Sequence, residues 1–316
     1  MRLTMKIKLF RNLLSITLTA GLIVGCSDKN SLDVGGKETP EKSPILLSSG
    51  VDVTPKTKAL QDKQIAQDQT LSFFVTETSE LTNVLYNNEL ITANGNGGFS
   101  YSQVMYYPIT GENVDFYAVH PNTSGASLST PLTFTVQADQ STAKNLLQSD
   151  LLYATKTNVA RTSQKVPMVF AHKLVMLDFT IKAGPGVDLA TMNNVTVTGV
   201  KPTAQLNIAD GTLGVATGES IDVKAYGVRG TTEAETELLG VSAIVIPQSI
   251  ASGQKLFKIT IGEVDYFYTT AAEQVFEAGK KYNLELTIKQ AGIDVSSTIT
   301  DWGDGGSIIG DGHAED

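Results

Sequence analysis

The fold class is decided by the stretch Tyr282–Ile288, which reads YNLELTI. Every second residue of the stretch is apolar, and the polar residues Asn283, Glu285 and Thr287 stand between them. Successive side chains of a β-strand point to opposite faces of the sheet. The stretch therefore predicts a strand with one buried and one solvated face, as in an antiparallel sheet.

The same preference extends outward through the chain. Thr, Ser, Val, Ile, Tyr and Phe dominate after residue 40, a composition that favours strands, and the one predicted helix is a short one at Ser141–Ser149. Short strands separated by Gly, Pro and Asn turns are typical of β-sandwiches. The clearest predicted strands are Ile45–Val53, Leu71–Glu77, Tyr101–Pro108, Val114–His120, Leu132–Val136, Leu151–Thr155, Met168–Ala171, Leu174–Lys182, Asn194–Val200, Val241–Ile246, Phe257–Ile261, Lys281–Lys289 and Ile293–Thr300. The sequence predicts an all-β protein.

A secretory signal precedes the predicted sandwich. A basic start with Arg2, Lys6, Lys8 and Arg11 leads into an apolar stretch that begins at Leu13. The stretch ends in LIVGC at residues 22–26, and a signal of this kind is followed by cleavage. The pattern resembles a bacterial lipoprotein signal, in which the thiol of Cys26 is acylated and begins the mature chain. The alternatives are an ordinary signal with an incidental cysteine, or a membrane span, for which the stretch is short.

The length of the mature chain suggests two domains of about 100–150 residues each. The polar segment after Cys26 is typical of a flexible tether, and the end of the chain is rich in Gly and Asp. The predicted division is a signal peptide at 1–25, a tether at 26–43, β-sandwich domains at 44–165 and 166–300, and a flexible tail at 301–316.

The charge limits the partners that the chain can have. It carries 24 basic and 33 acidic residues, a net charge of −9. All four charges of residues 1–25 are basic, so the mature chain carries 20 basic and 33 acidic residues, or −13. Nucleic acid and anionic membranes attract a basic footprint, so both are disfavoured as partners. With Cys26 as the only cysteine, the fold has no disulfide and depends on its core.

No motif in the sequence points to catalysis. His120 and His172 end apolar strands far apart in sequence, and neither has a second ligand at metal-binding spacing. No nucleophile or acid lies at the spacing of a known catalytic motif, so both histidines are interpreted as core residues. We therefore expect no enzyme activity, no catalytic residue, no metal and no cofactor.

A binding function is the main alternative to a structural one. Tyr106-Tyr107 and Tyr266-Phe267-Tyr268 are clusters of aromatic rings on which a sugar could stack. Strand alternation assigns about half of each cluster to the core, and the chain has a single tryptophan, Trp302. A glycan-binding surface lipoprotein remains the alternative hypothesis, and it requires a flat patch of exposed rings.

Several stretches, in order along the chain, resemble the fimbrillin family of Bacteroidales, the type V pilus subunits also called Mfa-like or FimA-like. Tyr107-Pro108 with VDFYAVHP at 114–121 is similar to the family's "WP … vdFyAyyP". The other similar stretches are DLLYA at 150–154, FAHKL at 170–174 with LDF at 177–179, FEAGKKY at 276–282 and ITDW at 299–302. Each is weak alone, and together they span most of the mature chain.

The resemblance implies two tandem sandwich domains (Greek-key, transthyretin-like) and assembly by strand exchange. In the family a protease removes the N-terminal segment with its first strand, and a strand of another subunit fills the groove. The displaced strand would then carry Ile45, Leu47, Val51 and Val53. The alternating strand near the end of the chain, with Ile293, Val295 and Ile299, is the candidate donor.

One departure concerns the cut. Well-known members are cleaved after Arg, and this chain has no Arg between residues 12 and 160. Lys56 and Lys58 are therefore the candidate processing sites, although an ordinary solvated loop explains them equally well. Without a cut, the lipid stays attached and the chain resembles an anchor subunit. The expected partners are other fimbrial subunits, the outer membrane through Cys26, and ligands on host or bacterial surfaces.

Overall fold

The computed structural model describes residues 42–51, 64–78, 80–228, 236–302 and 306–310. Strands fill most of these residues, and the α-helix found among them is α1, Ala143–Gln148. Thr142 caps the helix by accepting the Asn145 N–H at 3.2 Å, which satisfies one of the free amides of the first turn. The all-β prediction and the short predicted helix are confirmed.

The strands of the first half of the chain are β1 (Leu47–Val51), β2 (Thr70–Glu77), β3 (Glu80–Ala93), β4 (Phe99–Tyr101), β5 (Val114–His120), β6 (Leu132–Thr135), β7 (Leu152–Val159) and β8 (Val166–His172). Those of the second half are β9 (Val175–Ala183), β10 (Met192–Val200), β11 (Thr203–Asn207), β12 (Thr212–Leu213), β13 (Ile221–Lys224), β14 (Glu237–Val245), β15 (Gln248–Ile250), β16 (Lys255–Ile261), β17 (Val264–Thr269), β18 (Gln274–Phe276), β19 (Lys280–Lys289), β20 (Gly292–Asp301) and β21 (Gly306–Gly310).

These strands pair into five sheets. The largest has seven strands in the order β1-β8-β7-β5-β2-β3-β4. A five-stranded sheet has the order β14-β9-β19-β20-β21, and a four-stranded sheet has the order β13-β10-β16-β17. The two smaller sheets are β12-β11-β6 and β15-β18. Most pairs are antiparallel, and the parallel ones are β1 with β8 and β9 with β19.

The seven-stranded sheet is covered on both faces. All seven residues of β5 are buried, and successive side chains join different apolar clusters. Phe116 belongs to the first cluster, where its ring centroid lies 5.5 Å from that of Phe73 on β2. Tyr117 belongs to the second cluster. The central strands therefore separate two cores, because neighbouring side chains of a strand point to opposite faces.

The second core continues into the later part of the chain. Phe179 of β9 and Phe257 of β16 meet edge to face with ring centroids 5.2 Å apart, a favoured aromatic geometry. The five-stranded and four-stranded sheets thus contribute to one cluster. The alternation predicted for Tyr282–Ile288 is confirmed, since its apolar residues are buried and the polar ones between them are half-exposed.

Strand pairing crosses the predicted domain boundary after residue 165. β8 lies beyond the boundary but pairs with β1 and β7 of the first sheet, and β6 lies before it but pairs with β11. The described residues from 42 onward group as one compact unit. The division into two tandem domains stays a prediction.

β3 and β21 are two of the segments that differ from the predicted secondary structure. β3 runs for 14 residues where no strand was predicted, because most of its side chains are at least half-exposed and show no alternation. Residues 306–310 form β21 on the edge of β20, within the predicted flexible tail. The sequence SII at 307–309 contains β-branched residues, which suit a strand.

Candidate functional site: the strand that closes the first sheet

β1 lies at one end of the seven-stranded sheet, parallel to β8. The register pairs Leu47 with Val166 and Val51 with Phe170. The backbone N–H of Val166 donates to the Leu46 carbonyl at 2.8 Å just before this ladder. β1 is thus bound to the body of the sheet through five paired residues of a single strand.

The other side of β1 meets the opposite end of the same sheet, in the segment around β4. The Ser49 N–H donates to the Gly97 carbonyl at 2.9 Å, and the Ile45 N–H donates to the Met105 carbonyl at 2.8 Å. Between them, the Leu47 N–H donates to the Tyr101 hydroxyl at 2.8 Å. Because β4 is the last strand in the sheet order, β1 joins the two ends of the sheet and closes it.

The inner face of β1 fills the first core. Ile45 and Leu47 are 2% and 1% exposed and share an apolar cluster with Met105, Tyr107 and Phe170. Burying a side chain of this size contributes about 1.5–3 kcal/mol. Removal of β1 would therefore open an apolar groove between β8 and the segment 97–107.

The wall formed by β8 depends on β1 for its pairing. The ladder between β7 and β8 consists of Leu152 with His172 and Tyr153 with Ala171. Residues 166–170, which precede it on β8, are paired with β1. Without β1 these five residues would present unpaired backbone groups, and such an edge binds an incoming strand.

Part of the predicted site lies outside the described residues. Cys26, Lys56, Lys58 and Val53 belong to that part. Val51 ends β1, where its backbone pairs with Phe170. The segment 97–107 forms the second wall of the groove, opposite β8. Sequence reasoning missed it, because a strand was predicted at Tyr101–Pro108 but β4 ends at residue 101. The GNGG stretch at 95–98 was the one signal that the chain turns there.

The candidate donor strand lies inside a sheet. β20 pairs with β19 along ten residues and with β21 along five. Ile293 and Val295 are 1% and 7% exposed, and Ile299 packs against the same cluster. The strand was predicted to be terminal, but β21 follows it, so its release requires two ladders to break.

A buried polar contact joins three elements at the end of β8. The His172 Nδ1 lies 2.7 Å from the Asp150 carboxylate, and the His172 ring stacks on the Trp302 ring with centroids 3.7 Å apart. The backbone N–H of Trp302 donates to the Gly279 carbonyl at 2.7 Å. This contact fixes the end of β20 against the end of β8. The DLLYA, FAHKL and ITDW stretches contain the three side chains of this contact but gave no sign that they meet.

The second histidine also has a structural role. His120 is fully buried, and its Nδ1–H donates to the Asp150 carbonyl at 2.8 Å. Burial lowers the pKa of the imidazole below its ordinary value, although the Asp150 carboxylate acts in the opposite direction. A buried neutral histidine held by a backbone carbonyl agrees with its interpretation as a core residue. The described residues contain no group of three or more potential metal ligands.

Neither aromatic cluster is a flat patch of fully exposed rings, although Tyr106 and Tyr107 line an open cleft of about 300 Å³ together with Tyr86. Tyr107 and Tyr268 are buried. The ammonium groups of Lys42 and Lys255 lie 5.5 Å and 4.2 Å from the ring centroids of Tyr106 and Phe267. A separate open cleft of about 390 Å³ lies beside β15; none of these rings lines it. Within the described part of the chain, no helix is long and apolar enough to span a membrane.

Comparison with known proteins assigns the family. The sequence model of the fimbrillin-like family matches residues 57–302, which is most of the chain. The chain belongs to the fimbrillin-like family. The family is one of structural fimbrial subunits and not an enzyme family, so the predicted resemblance is confirmed.

Relatives agree with this assignment over nearly the full length. A Bacteroides uniformis protein named "Putative fimbrium subunit Fim1C" is 28% identical over 314 residues, covering 94% of this chain and 97% of its own. A solved structure described as a "putative cell adhesion protein" of the same species has a TM-score of 0.63 at 24% identity, covering 82% of this chain and 99% of its own. Another with that description, from Bacteroides ovatus, has a TM-score of 0.63 at 19% identity, covering 86% and 100%. The two structures share the fold of this fimbrillin-like chain.

Proposed function

We propose that the chain is a structural subunit, or pilin, of a surface fimbria that assembles by strand exchange and serves adhesion. Proteolysis removes β1 from the folded subunit, and a strand of another subunit takes its place. The observation that carries the proposal is the position of β1. It is a separate strand near the start of the fold, and it joins both ends of the first sheet.

The energetics favour refilling of the groove. Loss of β1 exposes the pocket of Ile45 and Leu47, whose two side chains contribute about 3–6 kcal/mol by burial. It also leaves the 166–170 edge unpaired. An incoming strand would bury the apolar pocket again and pair with residues 166–170. Because this strand belongs to another folded subunit, the exchange links the two subunits into a polymer.

The predicted lipid gives the cut its role. Acylated Cys26 would hold the exported precursor at the outer membrane, and cleavage at Lys56 or Lys58 would separate that anchor from the sandwich. A chain that is not cut would keep both its lipid and β1, and it would serve as an anchor subunit. Adhesion is proposed for the assembled fimbria, since solved structures of this fold are described as cell adhesion proteins.

Blocking the cut tests the proposal. In cells that carry the double substitution Lys56→Ala and Lys58→Ala, we expect the subunit to stay at the outer membrane at full length and fimbriae to be lost. The matched control is Lys42→Ala with Lys63→Ala, which removes one lysine before the proposed cut and one after it. Fimbriae of normal length in the first variant would show that processing at these lysines is not required.

A further inference from the structure

We propose that the cleft beside β15 binds an acidic saccharide, a sugar ring that carries a carboxylate. This inference rests on the adhesion proposed above, and it adds the chemical class of the ligand and the residues that hold it. Among the described residues that line the cleft, none belongs to β1, to β8 or to the segment 97–107. Binding of a ligand there therefore does not depend on strand exchange.

The cleft is formed where strands of three sheets meet. β10 and β16 of the four-stranded sheet supply Thr198 and Lys255, and β15 of the two-stranded sheet supplies Ile250. Val215 belongs to the segment that follows β12 of the three-stranded sheet. The cleft has a volume of about 390 Å³, and sites for small molecules measure roughly 300–1,000 Å³. A small saccharide is thus of a suitable size.

The charge of the cleft is opposite to that of the whole chain. The chain carries 24 basic and 33 acidic residues, yet among the described residues that line the cleft two are lysines, Lys201 and Lys255, and none is acidic. Neither lysine takes part in the ion pairs found between described residues. Complementary charge selects a ligand, and hydrogen bonds from an ammonium group to a carboxylate are strong. The cleft therefore favours an anion over a neutral molecule.

Side chains hold the backbone of the cleft in place. The Gln248 side chain accepts the Lys201 N–H at 2.9 Å and donates to the Lys201 carbonyl at 3.2 Å. The Asp222 carboxylate accepts the N–H of Gly199, which also lines the cleft, at 3.1 Å. A site that is formed before its ligand arrives loses little conformational freedom on binding. The lysine at 201 thus extends from a fixed point of the wall.

The rest of the lining suits the other groups of a sugar ring. Val215 is 82% exposed, and covering it with the C–H face of a ring removes apolar surface from water. The Lys255 ammonium lies 4.2 Å from the ring centroid of Phe267, which adds an aromatic ring next to this lysine. Ser220 and Gln254 are exposed, and their side chains make no hydrogen bond found among the described residues. Their hydroxyl and amide groups are positioned to bind the hydroxyls of a sugar.

An acidic peptide matches the same charge but fits the walls less well. Peptides commonly bind by adding a strand to a sheet edge. β15 lines the cleft and is three residues long, so it offers little edge for such a strand. The other walls come from the ends of β10 and β16 and from the segment after β12. This arrangement favours a compact ring over an extended chain.

Two sugars test the class of the ligand. D-galacturonic acid and D-galactose differ only in that the acid has a carboxylate where galactose has a hydroxymethyl group. Saturation-transfer NMR with the full-length chain in detergent measures both dissociation constants. We expect the acid to bind about tenfold more tightly, because it alone makes charge-assisted bonds to lysine. Equal dissociation constants would overturn the acidic class, and binding of neither sugar would overturn the saccharide itself.

Substitution of the two lysines tests the location. Lys201→Gln with Lys255→Gln should weaken binding of galacturonic acid about tenfold and leave galactose binding unchanged. The matched control is Lys144→Gln with Lys165→Gln, which removes the same charge from two exposed lysines that do not line the cleft. Far-UV circular dichroism confirms that both variants are folded. An equal loss of binding in the two variants would overturn the cleft as the site.

Two further measurements separate the remaining outcomes. If a hexaglutamate peptide bound more tightly than galacturonic acid and lost its affinity in the Lys201→Gln, Lys255→Gln variant, an acidic peptide would replace the saccharide as the ligand. Fimbriae of the native chain are counted without any sugar present. A native chain that binds galacturonic acid but forms no fimbriae would contradict the proposed function and leave the saccharide site in place.

Discussion

β1 and β20 have the same alternating pattern, but the structure holds them in different ways. β1 has a five-residue ladder with β8 and, on its other side, single hydrogen bonds to the segment 97–107. β20 lies between β19 and β21, with ladders of ten and five residues. The pattern decides which face of a strand is buried. The number of ladders decides how firmly a strand is held, so β1 is the more weakly held of the two strands.

The largest effect is expected beneath β1. Phe170 of β8 is fully buried in the core that β1 covers, and Phe170→Ala should lower the free energy of unfolding of the intact chain by about 3–5 kcal/mol. Urea denaturation measures this change. The matched control is Val169→Ala on the same strand, which is 57% exposed and should change stability by less than about 0.5 kcal/mol. Equal effects of the two substitutions would contradict the described core.

The next largest loss of stability is expected from a substitution in β1 itself. Leu47→Ala should destabilise the intact chain by about 2–5 kcal/mol, because it leaves a cavity against Phe170 and Met105. Leu46→Ala, on the half-exposed face of the same segment, serves as its control. After cleavage and removal of β1, chains that carried either substitution should be as stable as the cleaved native chain. A difference that persists after removal would show that β1 had not left.

A smaller effect is expected at the second wall. Tyr101→Phe removes the hydroxyl that accepts the Leu47 N–H, and leaving that buried donor unpaired costs about 1–3 kcal/mol. Denaturation of the intact chain measures the loss. Tyr106→Phe is the comparison, since no hydrogen bond of its hydroxyl is found among the described residues. If Tyr101→Phe had no effect, the wall would not hold β1 in the way described.

The smallest effect concerns pH and belongs to the body of the fold, not to β1. Burial lowers the folded-state pKa of His120, so the unfolded chain takes up the proton first as the pH falls. This contribution to stability is complete above the ordinary pKa of about 6.5 and is lost below it, by at most about 1.4 kcal/mol per pH unit. Urea denaturation between pH 8 and 5 should give a shallower slope for His120→Asn than for the native chain. Identical slopes would mean that His120 is not the group responsible.

The sequence predicted those parts of the fold in which a local pattern determines the structure. Alternation located β6, β19 and β20, strand-forming composition located β2 and β5, and Ala143 with Leu146 and Leu147 located α1. β3 was missed because its side chains face solvent and show no alternation. β21 was missed because glycines flank its short apolar run.

The candidate site depended on contacts that no local pattern reveals. Sequence reasoning placed Ile45 and Leu47 on the first strand, but it did not reveal their parallel partner β8, which lies more than a hundred residues away. Tyr101 gave no sign that its hydroxyl binds β1. Asp150, His172 and Trp302 also meet although they lie at least 22 residues apart in sequence. Family resemblance predicted that a first strand would leave, while its neighbours became known only from the pairing of the strands.

The most direct measurement is the N-terminal sequence and intact mass of the protein in fimbriae purified from the cell surface. The proposed mechanism predicts a chain that begins just after Lys56 or Lys58, such as at Ala59, and whose mass lacks both the lipid and β1. A chain that begins at acylated Cys26, with no shorter form in the fimbriae, would contradict the removal of β1. The subunit would then be an anchor with its first sheet permanently closed.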